Sequence, residues 1–183
     1  MMISSNESIS FRPLDRSDFA LVARWFTEPQ VARWWSEDSS LEHLEAKYGP
    51  RVDGRDHTSM WIIEVDGEPA GLAQHYRHEH YPDHDAAVGI PDAVGIDYLL
   101  SEDHAGRGHG PGMLATLARL ALDAVSEARC CVASPAQDNR PSWTALERAG
   151  FHRHGPCHPP GDPPCWAYVL ERDAIVTGDP TVS

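Results

Sequence analysis

Residues 95–110 read Gly95-Ile-Asp-Tyr-Leu-Leu-Ser-Glu-Asp-His-Ala-Gly-Arg-Gly-His-Gly110 and form the most informative pattern of this chain. They begin within an apolar run, residues 94–100, which predicts a buried strand interrupted by one carboxylate, Asp97. A turn with three alternating glycines follows at 106–110, and a helical repeat of apolar residues then covers 113–125. A strand, a glycine turn and a helix together form a cradle for an anion, because the turn amides and the positive end of the helix dipole point to one place.

The glycine spacing differs from two common phosphate-binding motifs. It is G-x-G-x-G, whereas dinucleotide-binding folds carry G-x-G-x-x-G, and no Gly-Lys-Ser/Thr follows it as in a P-loop. The glycines either serve only the backbone at a helix start or present amides to a ligand. Asp97 favours the ligand, because an acid buried in a strand is unfavourable unless it is used or paired. A structural ion pair between Asp97 and a nearby Arg or His is the alternative.

Length, composition and charge restrict the class of protein. The chain has 183 residues, 41% of them apolar, which suffices for one domain with a full core. It contains neither a run of about 18 apolar residues, as a membrane span requires, nor an N-terminal signal pattern, so we expect a cytoplasmic protein. The formal net charge of −13 argues against a nucleic acid partner. It suits a polycationic small molecule, although acidity can also serve solubility alone.

The cysteines and histidines do not form a recognisable metal site. The four cysteines, Cys130, Cys131, Cys157 and Cys165, include no C-x-x-C pair, and we expect all of them to be reduced and structural. Cys130 and Cys131 are adjacent in a strand-like run and should face opposite sides of a sheet.

Residues 77–93 are rich in His, Asp and Pro and are predicted to form a loop. The spacing of the nearby histidines (75, 78, 80 and 84) matches no known set of metal ligands, so no metal is predicted. We interpret this loop as an acidic flap over a substrate site. Its acidic residues are Glu79, Asp83, Asp85 and Asp92.

Trp34 and Trp35 are adjacent, so they cannot both face a core from one regular element. We predict that at least one of them lines a surface groove, where an aromatic face can stack on a ring or cover a cation. Packing of both rings between helices is the alternative.

Periodicity and turn signals predict one domain over residues 9–171, between a flexible N-terminus (1–8) and a loose tail (172–183). Asp66-Gly67 predicts a hairpin, and a helical crossover should make 129–134 run parallel to 94–100. The predicted strands are 9–14, 59–65, 68–76, 94–100, 129–134, 151–155 and 165–170. The predicted helical segments are 19–27 with Ser17 as N-cap, 41–48 closed by Gly49-Pro50, 113–125, and 139–149 followed by Gly150.

This order of elements, with the glycine turn where it lies, resembles the GCN5-related N-acetyltransferase (GNAT) superfamily over residues 9–171. The resemblance implies an α/β (α+β) fold with a mixed central sheet of six to seven strands, flanked by helices and splayed at the central strand to admit acyl-CoA. Within the superfamily the chain is most similar to the aminoglycoside 6′-N-acetyltransferases. The blocks that carry this likeness are Val31-Ala-Arg-Trp-Trp35, Gly67-Glu-Pro-Ala-Gly-Leu-Ala-Gln74, Gly95-Ile-Asp-Tyr-Leu-Leu100, Gly106-Arg-Gly-His-Gly110, and Asn139 with Glu147-Arg-Ala-Gly-Phe151.

The resemblance implies acetyl-CoA as the cofactor. The amides expected to bind its pyrophosphate are those of Arg107, Gly108, His109, Gly110 and Gly112. The pantetheine arm would pair with the backbone of Leu99 and Leu100 and contact Asn139.

Asp97 matches the proposed catalytic carboxylate of the family. This role makes chemical sense, because an amine is protonated at neutral pH and must lose a proton before it attacks a thioester. A carboxylate in an apolar strand can hold the ammonium group and accept that proton directly or through water.

The implied substrate is a small polycationic amine, most directly an aminoglycoside with a 6′-amine. The predicted substrate-binding residues are Trp34, Trp35, Gln74, Tyr76, Asp83, Asp97 and Asp162. Another small amine, such as a siderophore or lysine-type precursor, is one alternative, and a non-catalytic acyl-CoA-binding module is another. The resemblance is also compatible with a homodimer.

The sequence departs from the superfamily at two functional positions. Ala105 replaces the usual Arg or Gln at the start of the glycine turn. Leu146 occupies the position of a tyrosine that is often proposed to protonate the leaving thiolate, which leaves the general acid unassigned. Pro141 lies in the first turn after Asn139, where a proline is tolerated.

Overall fold

Seven strands form one mixed sheet in the order β1-β2-β3-β4-β5-β7-β6, as expected from the resemblance. The computed structural model describes residues 8–176, so most of the predicted loose ends lie outside the described residues, whereas residues 172–176 of the predicted loose tail form a short helix. The strands are β1 (Ile9–Pro13), β2 (Thr58–Val65), β3 (Glu68–Arg77), β4 (Ala93–Leu100), β5 (Cys130–Ala133), β6 (His152–Cys157) and β7 (Cys165–Glu171). The helices are α1 (Phe19–Phe26), α2 (Pro29–Ala32), α3 (Leu41–Val52), α4 (Pro82–Val88), α5 (Gly110–Ala124), α6 (Arg140–Arg148) and α7 (Arg172–Val176).

The central strand β4 is fully paired on one side and only partly paired on the other. It runs antiparallel to β3 along almost its whole length, from Val94 opposite Arg77 to Leu100 opposite Gly71. It runs parallel to β5 only at residues 93–95. From Ile96 onward, no described strand pairs with this edge of β4. The predicted splay at the central strand is therefore confirmed.

The helices cover the two faces of the sheet and create two main cores. On one face, α5 contributes a stripe at helical spacing that is fully buried: Met113, Leu114, Leu117, Ala118 and Ala121. On the other face, α1 and α3 pack through Val22 and Leu44 against Leu72 and Leu99 of the sheet. Side chains alternate along β4, so one strand contributes to both cores.

The local turn and crossover predictions are confirmed. Asp66 and Gly67 have φ of 52° and 81°, as a two-residue hairpin turn requires. Gly150 has φ of 97° after α6, and β5 is parallel to β4. Cys131 joins the core under α5, whereas Cys130 joins a separate cluster on the other face. All four cysteines are free and buried.

Helix α3 does not stop at Gly49-Pro50 as predicted. It continues through Pro50 to Val52. Pro50 has no N–H to donate to the carbonyl four residues earlier, so one helical bond is lost, but Asp53 N still donates to Gly49 O at 3.0 Å beyond it. The Glu45 and Arg16 side chains lie close to Gly49: a Cβ there would be 2.5 Å from Glu45 Oε1 and 3.2 Å from Arg16 Nη2.

Two further predictions about local structure were wrong. Residues 77–93 are not one loop, because they contain a 3₁₀ turn (His78–His80) and α4, which begins with Pro82 and ends at Gly89 with φ of 69°. The first helical turn is capped by Asp15 rather than Ser17, whose amide donates to the Asp15 carboxylate. Within residues 8–176, no helix is both long and apolar enough to cross a membrane.

The close approach of β3 to β4 yields a stability prediction. A Cβ at Gly71 would lie 2.1 Å from the Leu99 carbonyl oxygen, so Gly71→Ala must push the two strands apart. We expect a loss of about 1–3 kcal/mol in the free energy of unfolding, measured by urea denaturation. Gly155→Ala in β6 is the matched control, because no atom lies within 4 Å of its Cβ position. Equal losses in both variants would contradict the steric account.

Candidate active site

An open cavity of about 780 Å³ lies where β4 separates from β5. Its walls come from the connection between α2 and α3, from β3 and β4, from the segment between β5 and α6, and from the link between β6 and β7. The predicted site residues that line it are Trp34, Trp35, Gln74, Tyr76, Asp97, Asn139 and Asp162.

Asp97 lies in the cavity wall and is bound by neighbours on β3. It is directly opposite Gln74 in the β3–β4 register, so both side chains project from the same face of the sheet. Gln74 Nε2 donates a hydrogen bond of 2.7 Å to Asp97 Oδ2, and the Tyr76 hydroxyl also interacts with this carboxylate. Burial raises the pKa of Asp97, while the hydrogen bond from Gln74 opposes that rise. Asp97 is therefore a carboxylate that accepts a proton more readily than an exposed one.

Gly95 explains why a glycine precedes Asp97 by two residues. The Tyr76 ring lies across its Cα, and a Cβ at this position would be 2.6 Å from Tyr76 Cε2 and 2.9 Å from His78 Nε2. The missing side chain thus makes room for the tyrosine whose hydroxyl reaches Asp97.

Both tryptophans line the cavity, and Trp35 also packs against the core. Trp34 is 37% exposed, and the Arg33 guanidinium lies 4.5 Å from its ring centre. Trp35 is half-buried and stacks on Phe26 with ring centres 6.3 Å apart. The prediction that at least one of them lines a groove is confirmed, since both contribute to the cavity wall.

The acidic flap does not have the predicted form. Asp83 is exposed on α4 and lies outside the cavity lining, whereas the adjacent His84 lines it. Glu79 is 2.7 Å from Arg77, and Asp85 is 3.7 Å from His78, so two of the acids pair locally. Helix α4 is short and mostly polar, so its sequence shows no apolar repeat from which a helix could be predicted. Without that helix, the orientation of Asp83 could not be predicted either.

Cavity residues on the helical side that were not predicted include Glu37, Lys47, Tyr48 and Arg51. Glu37 binds Lys47 and His43; burial would raise its pKa, but these two partners outweigh burial and lower it. Arg51 donates a hydrogen bond of 2.9 Å to Gln74 Oε1. Leu44, Tyr48 and Arg51 follow the i, i+4, i+7 spacing of one helix face. A helix predicted to continue through Pro50 would have revealed Arg51.

The gap beside β4 has the backbone groups that an extended ligand needs. Ser101 N donates to Ala70 O at 2.8 Å, and hydrogen-bonded positions alternate in an antiparallel ladder. Residues 99 and 97 therefore also face β3, and residues 96, 98 and 100 face the gap. Leu99 was predicted to pair with the pantetheine arm, but its backbone is directed to Leu72; Tyr98 and Leu100 face the gap instead.

The glycine turn leads into the exposed start of α5. Gly106 and Gly108 have φ of 73° and 92°, which a residue with a side chain rarely adopts. Arg107 and Gly108 are exposed, and the side chain of the N-cap residue does not cap the first turn of α5. His109 and Gly110 complete this turn, and Gly112, the third residue of α5, is exposed. The turn amides and the helix start together fit a phosphate-bearing cofactor.

Asn139 and Leu146 lie on α6, the helix that borders the gap. Asn139 is the N-cap of α6 through its side-chain oxygen, which accepts from Ser142 N at 3.4 Å, so its amide nitrogen is not used by the cap. Leu146 is fully buried and cannot act on a ligand. One turn earlier, Ser142 Oγ lies 2.6 Å from the Tyr98 hydroxyl, and both line the cavity. Within residues 8–176, no group of three or more His, Cys, Asp or Glu side chains is arranged to hold a metal ion.

A splayed sheet, a glycine turn before a helix and a carboxylate in the cavity wall are together typical of an acyl-CoA-dependent transferase. The sequence pattern of the family described as acetyltransferase (GNAT) domain matches residues 15–158, and the chain belongs to this family. The structures of relatives contain coenzyme A or acetyl-CoA.

Several individual acetyltransferases are similar to this chain. The chain is 26% identical to an aminoglycoside N(6′)-acetyltransferase type 1 of Klebsiella pneumoniae, covering 96% of this chain and 89% of that protein. A solved aminoglycoside 6′-acetyltransferase in complex with paromomycin and acetyl-CoA matches with a TM-score of 0.79 at 26% identity, covering 96% of this chain and 99% of the other. An N-hydroxyputrescine acetyltransferase of Acinetobacter baumannii is 29% identical over 58% of this chain and 50% of its own length.

The contact between Gly95 and Tyr76 can be tested by substitution. Gly95→Ala should displace the Tyr76 ring and destabilise the fold by about 1–3 kcal/mol, measured by thermal unfolding. Tyr76→Ala removes the clashing ring atoms, so the double variant should lose less stability than the two single losses combined. Strict additivity would show that Gly95 and Tyr76 are not coupled.

Proposed function

We propose that this chain transfers the acetyl group of acetyl-CoA to a primary amine, and that its main acceptor is the 6′-amine of an aminoglycoside. The observation that carries the proposal is the position of Asp97, a carboxylate in the cavity wall one residue before the gap-facing Tyr98. The aminoglycoside as acceptor is supported by the relative that matches 96% of the chain.

The residues around the gap suit acetyl-CoA, which when bound supplies a thioester that a neutral amine can attack. The backbone of Tyr98 and Leu100 would hold its pantetheine arm, with the Asn139 amide nitrogen nearby. Its pyrophosphate would lie on the amides of Arg107, Gly108, His109, Gly110 and Gly112. These groups fit because they are hydrogen-bond donors at the start of a helix or at an unpaired strand edge.

Asp97 performs the proton chemistry in this proposal. Its carboxylate attracts the substrate ammonium group, accepts one of its protons, and so leaves a neutral amine as nucleophile. Gln74 and Tyr76 keep the carboxylate in place during this transfer. Trp34 provides an exposed aromatic face for a sugar ring or a cation, and Asp162 adds negative charge at the rim.

The missing tyrosine at position 146 does not favour a purely binding protein. The hydroxyl pair of Tyr98 and Ser142 lies in the same cavity, and either hydroxyl can supply a proton to a leaving thiolate. Burial raises the pKa of Tyr98, which keeps it protonated at neutral pH.

A second acceptor class is supported by the charges of the cavity. Arg33, Lys47 and Arg51 line it together with the acids, so the wall is not uniformly negative. A smaller amine, of the kind named for the Acinetobacter baumannii relative, would need fewer acidic contacts than a polycationic aminoglycoside. We therefore include diamines and lysine among the acceptors to be tested.

The acceptor assay follows release of free thiol from acetyl-CoA. We expect turnover with kanamycin and tobramycin, and none with a matched aminoglycoside that has a 6′-hydroxyl group. Turnover with putrescine, N-hydroxyputrescine or lysine alone would contradict the aminoglycoside as acceptor and favour the smaller amines.

Two finer points belong to the same proposal. We place the chain in the cytoplasm and expect it to form a homodimer, as domains of this fold often do. Sedimentation at micromolar concentration measures the oligomeric state, and a monomer across that range would contradict the dimer.

Asp97→Asn separates catalysis from cofactor binding. We expect kcat to fall by a factor on the order of 10²–10⁴, because the amide cannot accept the proton. The affinity for coenzyme A, measured by calorimetry, should stay within about threefold, because the Asp97 backbone is directed to β3 and contributes no hydrogen bond to the gap. Asp123→Asn on the exposed side of α5 is the control. Wild-type turnover in Asp97→Asn would contradict the role of Asp97.

Trp34→Ala tests the exposed aromatic face. Loss of a cation or ring contact worth about 0.5–2 kcal/mol should raise the KM of the acceptor roughly two- to thirtyfold with little change in thermal stability. Trp25, which is 4% exposed, provides the contrast, because Trp25→Ala should reduce stability by about 3–5 kcal/mol. An unchanged KM together with a large loss of stability in Trp34→Ala would assign Trp34 to the core.

A further inference from the structure

Arg51 is linked to Asp97 by hydrogen bonds through the side-chain amide of Gln74. Its guanidinium Nη1 donates to Gln74 Oε1 at 2.9 Å, and Gln74 Nε2 donates to Asp97 Oδ2 at 2.7 Å. The Arg51 side chain is only 13% exposed, although it comes from the last turn of α3. Three side chains from α3, β3 and β4 thus form one directed chain of hydrogen bonds.

The direction of this chain follows from the chemistry of its two ends. A guanidinium group can only donate hydrogen bonds, and a carboxylate can only accept them. Gln74 lies between the two, so its oxygen must face Arg51 and its nitrogen must face Asp97. Without Arg51, the Gln74 oxygen has lost its donor and only the bond to Asp97 holds the amide, so the amide is free to turn away from the carboxylate.

We infer that Arg51 is a positioning residue for the proton acceptor: it fixes the orientation of the Gln74 amide, so that Asp97 receives a donor and keeps its carboxylate ready for the substrate. This inference rests on the proposed function, since it assumes that Asp97 accepts the proton. It assigns to α3, a helix outside the cofactor gap, a direct influence on the chemistry.

Arg51 is itself held in a fixed place. Its guanidinium carbon lies 5.3 Å from the centre of the Tyr48 ring, and its Nε is 3.7 Å from Asp56 Oδ2. Its Nη1 also approaches Met60 Sδ at 3.9 Å. A ring, a carboxylate and a sulfur therefore define the guanidinium position independently of Gln74, and this allows Arg51 to orient the amide rather than follow it.

The other groups that face Asp97 set the sign of the expected effect. Burial raises the pKa of Asp97; the Gln74 hydrogen bond, the charge of His84 and the Tyr76 hydroxyl lower it, and Asp162 raises it. Tyr98, the next residue on β4, lies close enough for the Asp97 charge to raise its pKa further. Loss of the donated hydrogen bond from Gln74 must therefore raise the pKa of Asp97. Because Asp97 acts in its ionised form, the acidic limb of the pH–rate profile should move to higher pH.

A double-mutant cycle between Arg51 and Gln74 tests this coupling. Arg51→Met keeps the volume and removes the donors, and Gln74→Leu removes the amide. We expect Arg51→Met to shift the acidic limb of kcat/KM upward by about one pH unit and Gln74→Leu to cause a similar shift. In the Gln74→Leu background, Arg51→Met should add less than about 0.3 unit, because no amide remains to be oriented. Arg51→Lys, which restores one donor, should recover part of the shift.

The same pKa can be measured without turnover. A ¹³C NMR titration of the aspartate carboxyl carbons gives the pKa of Asp97, with the resonance assigned from its absence in Asp97→Asn. Arg55→Met is the control, since Arg55 is exposed and pairs with Asp53 outside the cavity. Thermal unfolding shows which variants are folded, and Arg51→Leu, which also has no donor, replaces Arg51→Met if the latter is not.

The outcomes separate this inference from the proposed function. An unchanged Asp97 pKa in folded Arg51→Met, or in folded Arg51→Leu, would overturn the inference. A shift of equal size in the Gln74→Leu background would also overturn it, because Arg51 would then act through its charge alone. If Asp97→Asn retains wild-type turnover, the proposed function fails, whatever the pKa shows. If Asp97→Asn is inactive and Arg51→Met has no effect, only the inference fails.

Discussion

A carboxylate held in a strand beside an open gap is the constraint on which the rest of the structure depends. Asp97 is unfavourable in a sheet unless donors compensate for its lost hydration. Gln74 and the Tyr76 hydroxyl provide them from β3, and Gly95 makes room for the Tyr76 ring. Arg51 in turn holds Gln74. Because β4 carries this carboxylate, it requires polar partners on two other elements: Gln74 and Tyr76 on β3, and Arg51 on α3.

The early end of the β4–β5 pairing connects this carboxylate with the cofactor. Because β5 ends at Ala133, the backbone of Tyr98 and Leu100 faces a gap instead of a partner strand. The same strand then leads into the glycine turn and the start of α5. The Asp97 side chain lines the cavity, while the backbone of the next residue, Tyr98, faces the gap. In the proposed function these two positions meet the acceptor amine and the cofactor. The alternation of residues along a strand would therefore place the acceptor amine close to the acetyl donor.

Much of this architecture could be predicted because its signals are local. The hairpin at Asp66-Gly67, the apolar run of β4 and the stripe of α5 each lie within a few consecutive residues. That at least one of Trp34 and Trp35 lines a groove also followed from their adjacency alone. These features depend on backbone conformation and side-chain period, which short stretches of sequence define.

The parts that were missed depend on distant contacts or on a misleading residue. Pro50 suggested the end of a helix, yet α3 continues through it and brings Arg51 to the cavity. The polar composition of residues 77–93 suggested a loop, yet α4 forms there and turns His84 rather than Asp83 toward the site. The backbone direction of Leu99 could be assigned only from the register of β3 on β4. In each case the deciding contact lies on another element.

The central claim is that the gap beside β4 holds the acetyl donor next to Asp97. Amide-resolved NMR during a titration with acetyl-CoA tests it most directly, because each backbone position reports separately. The account predicts large shifts for the amides of Tyr98 and Leu100 and for the turn at Arg107 to Gly110, and small shifts along β1. Shifts confined to other surfaces, with the β4 and turn amides unchanged, would contradict it.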